Sequence, residues 1–133
     1  MSNQIESIQN IYACFGVGDI PGIMEKLTDD AVFEHNGKFP WSGRFEGKAK
    51  VGEFFQALGN NVTVTVFNPS NFRAEGNQVI NDCRFEAVAL ASQKAIAYDL
   101  KMVWTFDDQG RPTHYEGIGD ESQLSMAEAA FSN

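Results

Sequence analysis

Few side chains in this 133-residue sequence have chemistry to offer, and the most informative of them stand close together. Residues 33–47 read FEHNGKFPWSGRFEG, which places His35, one of two histidines, at the end of a short apolar run and follows it with Trp41 on a Pro/Gly segment. An imidazole with an ordinary pKa near 6.5 needs only modest desolvation to be neutral and basic at pH 7. In that state it can remove a proton from carbon or activate a water. The plain structural reading is a histidine hydrogen-bonded at a strand end, oriented by Glu34 or Asn36 and chemically idle. Tyr12, Tyr98 and Tyr115 are the other candidates, because a buried phenol must find a partner and one facing His35 could donate to a developing oxyanion.

The elements that would position these groups follow from periodicity. Ile5, Ile8, Ile11, Tyr12 and Phe15 recur at three- and four-residue steps, which predicts a helix ending near Gly16 and Gly18. Asp19 is a candidate N-cap for a short second helix with Pro21 in its first turn. After a strand through Phe33, Val51, Phe54, Phe55 and Leu58 mark a third helix, which Gly59-Asn60-Asn61 should stop.

From residue 62 onward the pattern changes to strands, predicted over Val62–Ala74, Gln78–Leu90, Ala95–Phe106 and Pro112–Gly119 with hairpin-length connections. In the third of these, Ile96, Tyr98, Leu100, Met102, Trp104 and Phe106 share one face, with Asp99, Lys101 and Thr105 on the other. On the strand before it, Val79, Cys83, Phe85, Ala87 and Ala89 should point inward, leaving Arg84 and Glu86 outside. Asp99 and Lys101 are expected on the outer sheet face as a solvated or interface pair. Asp120 should cap a closing helix carrying Leu124, Ala127 and Phe131. Three helices and then an antiparallel meander make an α+β architecture whose apolar sheet face the helices must cover.

Bulk properties narrow the partners. Hydrophobic content of 43% and charged content of 21% are those of a globular domain able to bury a core. Net charge is −8 with scattered Lys and Arg, so nucleic acid and anionic membranes are poor partners. No apolar run approaches the roughly 20 residues of a membrane span, and the first residues lack the pattern of a secretory signal, so a cytoplasmic location is expected. Cys14 and Cys83 suggest neither a disulfide framework nor a metal site, and His35 and His114 fall on opposite faces, so neither a metal nor a cofactor is expected. Arg44 should anchor its loop to backbone carbonyls or an acidic neighbour.

The order and spacing of "GVGDI", "LTDDAVFEH", "GRFEGKAKVGEFF" and the late hairpin "FDDQGR" resemble the nuclear transport factor 2-like superfamily, and within it the SnoaL-like and ketosteroid-isomerase-related proteins. The resemblance spans nearly the whole chain, residues 1–133, as a single domain. It implies a cone-shaped, curved, mostly antiparallel (mixed) sheet packed on three N-terminal helices, with a short C-terminal helix and an apolar pocket. His35 falls at the position of the isomerases' general base. Met102 falls where they carry an oxyanion-binding Asp, and a thioether cannot donate a hydrogen bond; the first-helix Tyr matches only to within one residue of Tyr12. Arg84-Phe85-Glu86 has the spacing of the epoxide-hydrolase pair, but strand parity puts it outside the pocket.

The expectation is therefore a cofactor-free, homodimeric protein that pairs through its outer sheet face and binds a small hydrophobic or carbonyl-bearing molecule. His35 would be the base of an isomerase-, cyclase- or hydrolase-type reaction and Tyr12 or Tyr98 would stabilise the oxyanion. Trp41, Phe55, Phe85, Met102, Trp104 and Tyr115 would line the pocket, with Phe39-Pro40-Trp41 at its rim. The alternative is a non-catalytic binding or interaction module.

Overall fold

In a computed structural model that describes residues 4–131, the predicted helices and strands are present with few changes of boundary. Helix α1 (Gln4–Gly16) buries Ile8, Ile11 and Tyr12. Helix α2 (Ile20–Lys26) starts at Asp19, whose carboxylate accepts the Gly22 N–H at 3.0 Å. Strands β1 (Val32–His35) and β2 (Gly43–Glu46) precede helix α3 (Lys48–Asn61). Strands β3 (Val62–Glu75), β4 (Gln78–Ala89), β5 (Ala95–Phe106) and β6 (Pro112–Gly119) follow. Helix α4 (Glu121–Ala127), capped by Asp120, and a 3₁₀ turn (Glu128–Phe131) close the described chain.

Helix α3 ends at Asn61, within the Gly59-Asn60-Asn61 segment expected to stop it, and passes into β3 without a turn. Asn61 makes this possible, because its side-chain amide caps the Ala57 carbonyl at 2.6 Å while its own carbonyl accepts the Leu90 N–H at 2.9 Å. One expectation changes: residues 43–46 are not loop but pair antiparallel with β1, His35 opposite Gly43 and Val32 opposite Glu46. Only Phe45 of this edge strand is half-buried, so it carries no alternating apolar signal.

The sheet is six-stranded, mixed and open, in the order β2-β1-β6-β5-β4-β3. Neighbours are antiparallel except β1 and β6, which run parallel with His35 opposite Gly117. Register shifts between Val64 and Val66 and between Ser70 and Arg73 interrupt the β3–β4 ladder, and such bulges bend long strands, here around the helices. The inward set of β5 is buried as alternation requires. On β4 the inward set also includes Asn81, which is 0% exposed.

The outer face is charged. Arg84 meets Glu86 at 3.0 Å and Asp99 at 3.4 Å, so the epoxide-hydrolase-like spacing has no access to the interior. Asp99 pairs with Arg84 and Gln123 rather than with Lys101. Glu34, which also points out, takes Arg44 at 2.9 Å and His114 at 2.7 Å. Cys83 is buried, whereas Cys14 is only half-buried. Among the described residues no helix is long and apolar enough to cross a membrane, and no group of three His, Cys, Asp or Glu side chains could hold a metal.

Just past β1, Asn36 extends the parallel pairing with its side chain. Its amide donates to the Gly119 carbonyl at 3.1 Å and its Oδ1 accepts the Gly119 N–H at 2.8 Å. Asn36→Ala leaves both backbone groups of Gly119 without a protein partner and should cost about 1–3 kcal/mol. Urea unfolding measures this, and an unchanged midpoint would show that the clamp is dispensable.

Candidate functional site

A cavity of about 70 Å³ lies between the inner sheet face and helices α1 and α3. Its wall includes His35, Tyr12, Tyr98, Trp41, Phe55, Phe85, Met102, Trp104 and Tyr115, the residues expected to do chemistry or to line the pocket. The remainder is aliphatic or phenylalanine, with no acidic or basic side chain other than His35. The lining is thus predominantly apolar, with a few hydroxyl and ring N–H groups among it.

His35 is 6% exposed. Its Nδ1 lies 2.6 Å from the Asn36 carbonyl oxygen, which can only accept, so Nδ1 carries the hydrogen. Nε2 is then the free lone pair, and the Tyr98 hydroxyl sits 3.1 Å from it as donor. Trp41 Nε1 donates to the Tyr98 oxygen across a longer 3.4 Å. The directions are consistent, running from indole to phenol to imidazole to carbonyl. Burial lowers the His35 pKa below its ordinary value, partly opposed by the Asn36 carbonyl, which favours the protonated ring. Burial raises the Tyr98 pKa, partly opposed by the Trp41 bond. At neutral pH the pair is a neutral base and a protonated phenol. Glu34 takes no part, because alternation turns it to the outer face.

A second polar cluster lies on the same wall. The Tyr12 hydroxyl donates to Asn81 Oδ1 at 2.6 Å and accepts Trp104 Nε1 at 2.8 Å. Asn81 in turn donates to the Asp82 carbonyl at 2.8 Å and, weakly, to the Met102 sulfur at 3.7 Å. Sequence reasoning missed Asn81, although its position in phase with Val79, Cys83 and Phe85 marked it as inward-facing. A buried amide needs partners, and Tyr12 and Asn81 supply each other's.

Trp41 is not at a rim. It is 1% exposed and stacks on Phe39 at 4.7 Å, and Phe39 stacks on Tyr98 at 5.4 Å. Phe131 from the 3₁₀ turn closes over both rings. Of the Phe39-Pro40-Trp41 segment, Trp41 therefore lines the cavity and Phe39 backs it, while Pro40 is exposed. On the far side, an open groove of about 700 Å³ between α1, α3 and β3 shares Tyr12, Phe15, Phe55, Leu58 and Phe67 with the cavity wall. Phe15 meets Phe67 at 4.8 Å and Phe55 at 6.4 Å. These half-buried rings separate the cavity from the groove.

The model of the SnoaL-like domain family matches residues 8–115. No curated protein matches the chain in sequence. Among solved structures, an NTF2-like protein of unknown function from Burkholderia pseudomallei superposes with a TM-score of 0.83 at 20% identity, over 96% of this chain and 98% of that one. TerC, co-crystallised with polyporic acid, superposes with a TM-score of 0.81 at 25% identity, over 95% and 98%. A provisionally assigned SnoaL-like polyketide cyclase from Mesorhizobium loti gives 0.69 at 19% identity, over 84% and 95%. At such identities the first and third likenesses carry the fold.

The depressed His35 pKa has a consequence for stability. The unfolded chain protonates this imidazole near pH 6.5 and the folded chain only at lower pH, so between the two values the unfolded state binds more protons. The contribution is complete above about pH 6.5 and is lost as pH falls toward the folded value. The urea midpoint of wild type relative to His35→Gln should therefore fall as pH is lowered from about 7.5 to 5; parallel curves would contradict a buried neutral imidazole.

Proposed function

The chain belongs to the SnoaL-like domain family, and we propose that it binds a small, uncharged, carbonyl-bearing hydrophobic molecule and moves a proton on it with His35 as base. The observation that carries this reading is the unprotonated Nε2 of His35, buried in the wall of an aromatic cavity and facing the hydroxyl of Tyr98.

In the proposed step, Nε2 takes the proton from the carbon next to the carbonyl. The C–H electron pair becomes the C=C bond of an enolate, and charge gathers on the oxygen. Tyr98 turns its hydroxyl hydrogen from Nε2 to that oxygen, with Trp41 still bonded behind it. Return of the proton from Nε2 to another carbon gives isomerisation; attack of the enolate carbon on a second carbonyl, whose oxygen takes its π electron pair and then the proton from Nε2, gives ring closure. The apolar wall strengthens each of these interactions by excluding water. Tyr12 is less suited to the oxyanion role, since its hydrogen is already given to Asn81. The likeness to a provisionally assigned polyketide cyclase and to a protein co-crystallised with polyporic acid supports a small-molecule site of this class.

Access requires movement. The cavity of about 70 Å³ is smaller than the roughly 150 Å³ that holds a benzene, so a ligand would enter from the α1–α3–β3 groove by parting Phe15, Phe55 and Phe67. A second reading, a binding module without turnover, is favoured by Met102, whose thioether cannot supply the donor its position implies.

Exchange of carbon-bound hydrogen distinguishes the two. Enolisable ketones that raise the melting temperature should incorporate deuterium next to the carbonyl when incubated with the protein in D₂O. His35→Gln should bind the same ketones and slow exchange by a factor of about 10² to 10⁴. Binding with no catalysed exchange in wild type would leave the binding module; equal exchange in the variant would remove His35 from the mechanism.

A further inference from the structure

Three tyrosine hydroxyls reach the cavity, and two have given their hydrogens away: Tyr12 to Asn81 and Tyr98 to His35. Tyr115 differs. Its ring is 4% exposed, packed at 4.9 Å from Phe33 and 4.7 Å from Trp104. Among the described residues, nothing hydrogen-bonds its hydroxyl. Among the described residues, every fully buried side-chain oxygen or nitrogen has a partner, so this hydroxyl keeps open surface, and Tyr115 lines the cavity. A buried phenol without a partner is rare enough in folded proteins to require a reason. Burial raises its pKa well above 10, which keeps the hydrogen on the oxygen.

Its position supplies the reason. Tyr115 leans along β6 over Gly117, which pairs with His35 on one side and Met102 on the other. A Cβ at position 117 would lie 2.6 Å from the Tyr115 hydroxyl and 3.0 Å from Cδ2 of the His35 ring. The absence of a side chain there lets phenol and imidazole approach the same point, and a strand glycine often marks such a close approach. The hydroxyl is thus beside the base and at the register of Met102, whose sulfur has no hydrogen to give.

We propose that Tyr115 donates the hydrogen bond that holds a ligand's carbonyl oxygen next to His35, so that the site takes a compact ketone with a C–H adjacent to that carbonyl. This rests on reading the cavity as a carbonyl-ligand site. Tyr115 and Tyr98 then approach the oxygen from adjacent strands, β6 and β5, while Nε2 faces the C–H. Tyr12 keeps the wall in place through Asn81 and Trp104.

2-Cyclohexenone, labelled with ¹³C at the carbonyl, is a suitable probe. In wild type it should raise the melting temperature, and its bound C=O stretch should lie below that of the ketone in an alkane. Tyr115→Phe should return the band toward the alkane position and weaken binding about tenfold, with the melting temperature of the free protein unchanged, because no protein partner is lost. A bound ketone whose band and affinity are the same in Tyr115→Phe overturns the assignment while leaving the cavity reading intact. A ketone that leaves the wild-type melting temperature unchanged overturns the cavity reading and the donor with it.

Discussion

The bond from His35 Nδ1–H to the Asn36 carbonyl, 2.6 Å long, sets the character of the site. A carbonyl accepts and never donates, so the bond fixes the tautomer and leaves Nε2 as the lone pair in the cavity. The Asn36 carbonyl is itself held in place, because it also accepts Ser42 Oγ at 2.9 Å and its residue is clamped to Gly119. One backbone oxygen thus links the parallel β1–β6 pairing, the 39–42 turn and the imidazole.

Around this bond the fold excludes charge. Strand parity sends Glu34, Arg84, Glu86, Asp99 and His114 to the outer face and leaves tyrosines, tryptophans, one amide and one imidazole inside. An ionised group in such an interior would be strongly penalised, so His35 stays neutral and the tyrosines stay protonated. The two hydrogen-bonded groups divide the work by position. Trp41, Tyr98 and His35 stand at the end closed by Phe131, whereas Tyr12, Trp104 and Asn81 tie α1 to β4 and β5. An entirely apolar wall would pack as well but would hold no reactive group in a fixed orientation.

Much of this was legible in the sequence. Period-two alternation made β5 and β4 readable residue by residue, including the inward turn of Tyr98 and the outward turn of Arg84. What escaped depends on contacts between distant residues. Strand β2 exists because β1 offers it an edge, and four residues with one half-buried Phe carry too little pattern to announce it. Trp41 reads as a rim residue until Phe131, some ninety positions later, covers it. Asn81 was passed over because it is polar in an apolar series, although its phase was unambiguous. Which tyrosine hydroxyl is free and which is bonded depends on long-range partners, and spacing does not reveal it. His35 stood out by its chemistry and its place at a strand end, and the family resemblance added that it falls at a general-base position.

The central claim is a neutral His35 with its hydrogen on Nδ1. Two-bond ¹H–¹⁵N correlation of the imidazole, followed from pH 8 downward, measures it directly. The structure predicts a protonated Nδ1 and a bare Nε2 at neutral pH, with the second proton arriving only below the ordinary histidine range. An Nε2–H tautomer, or an imidazolium at pH 7, would contradict the account.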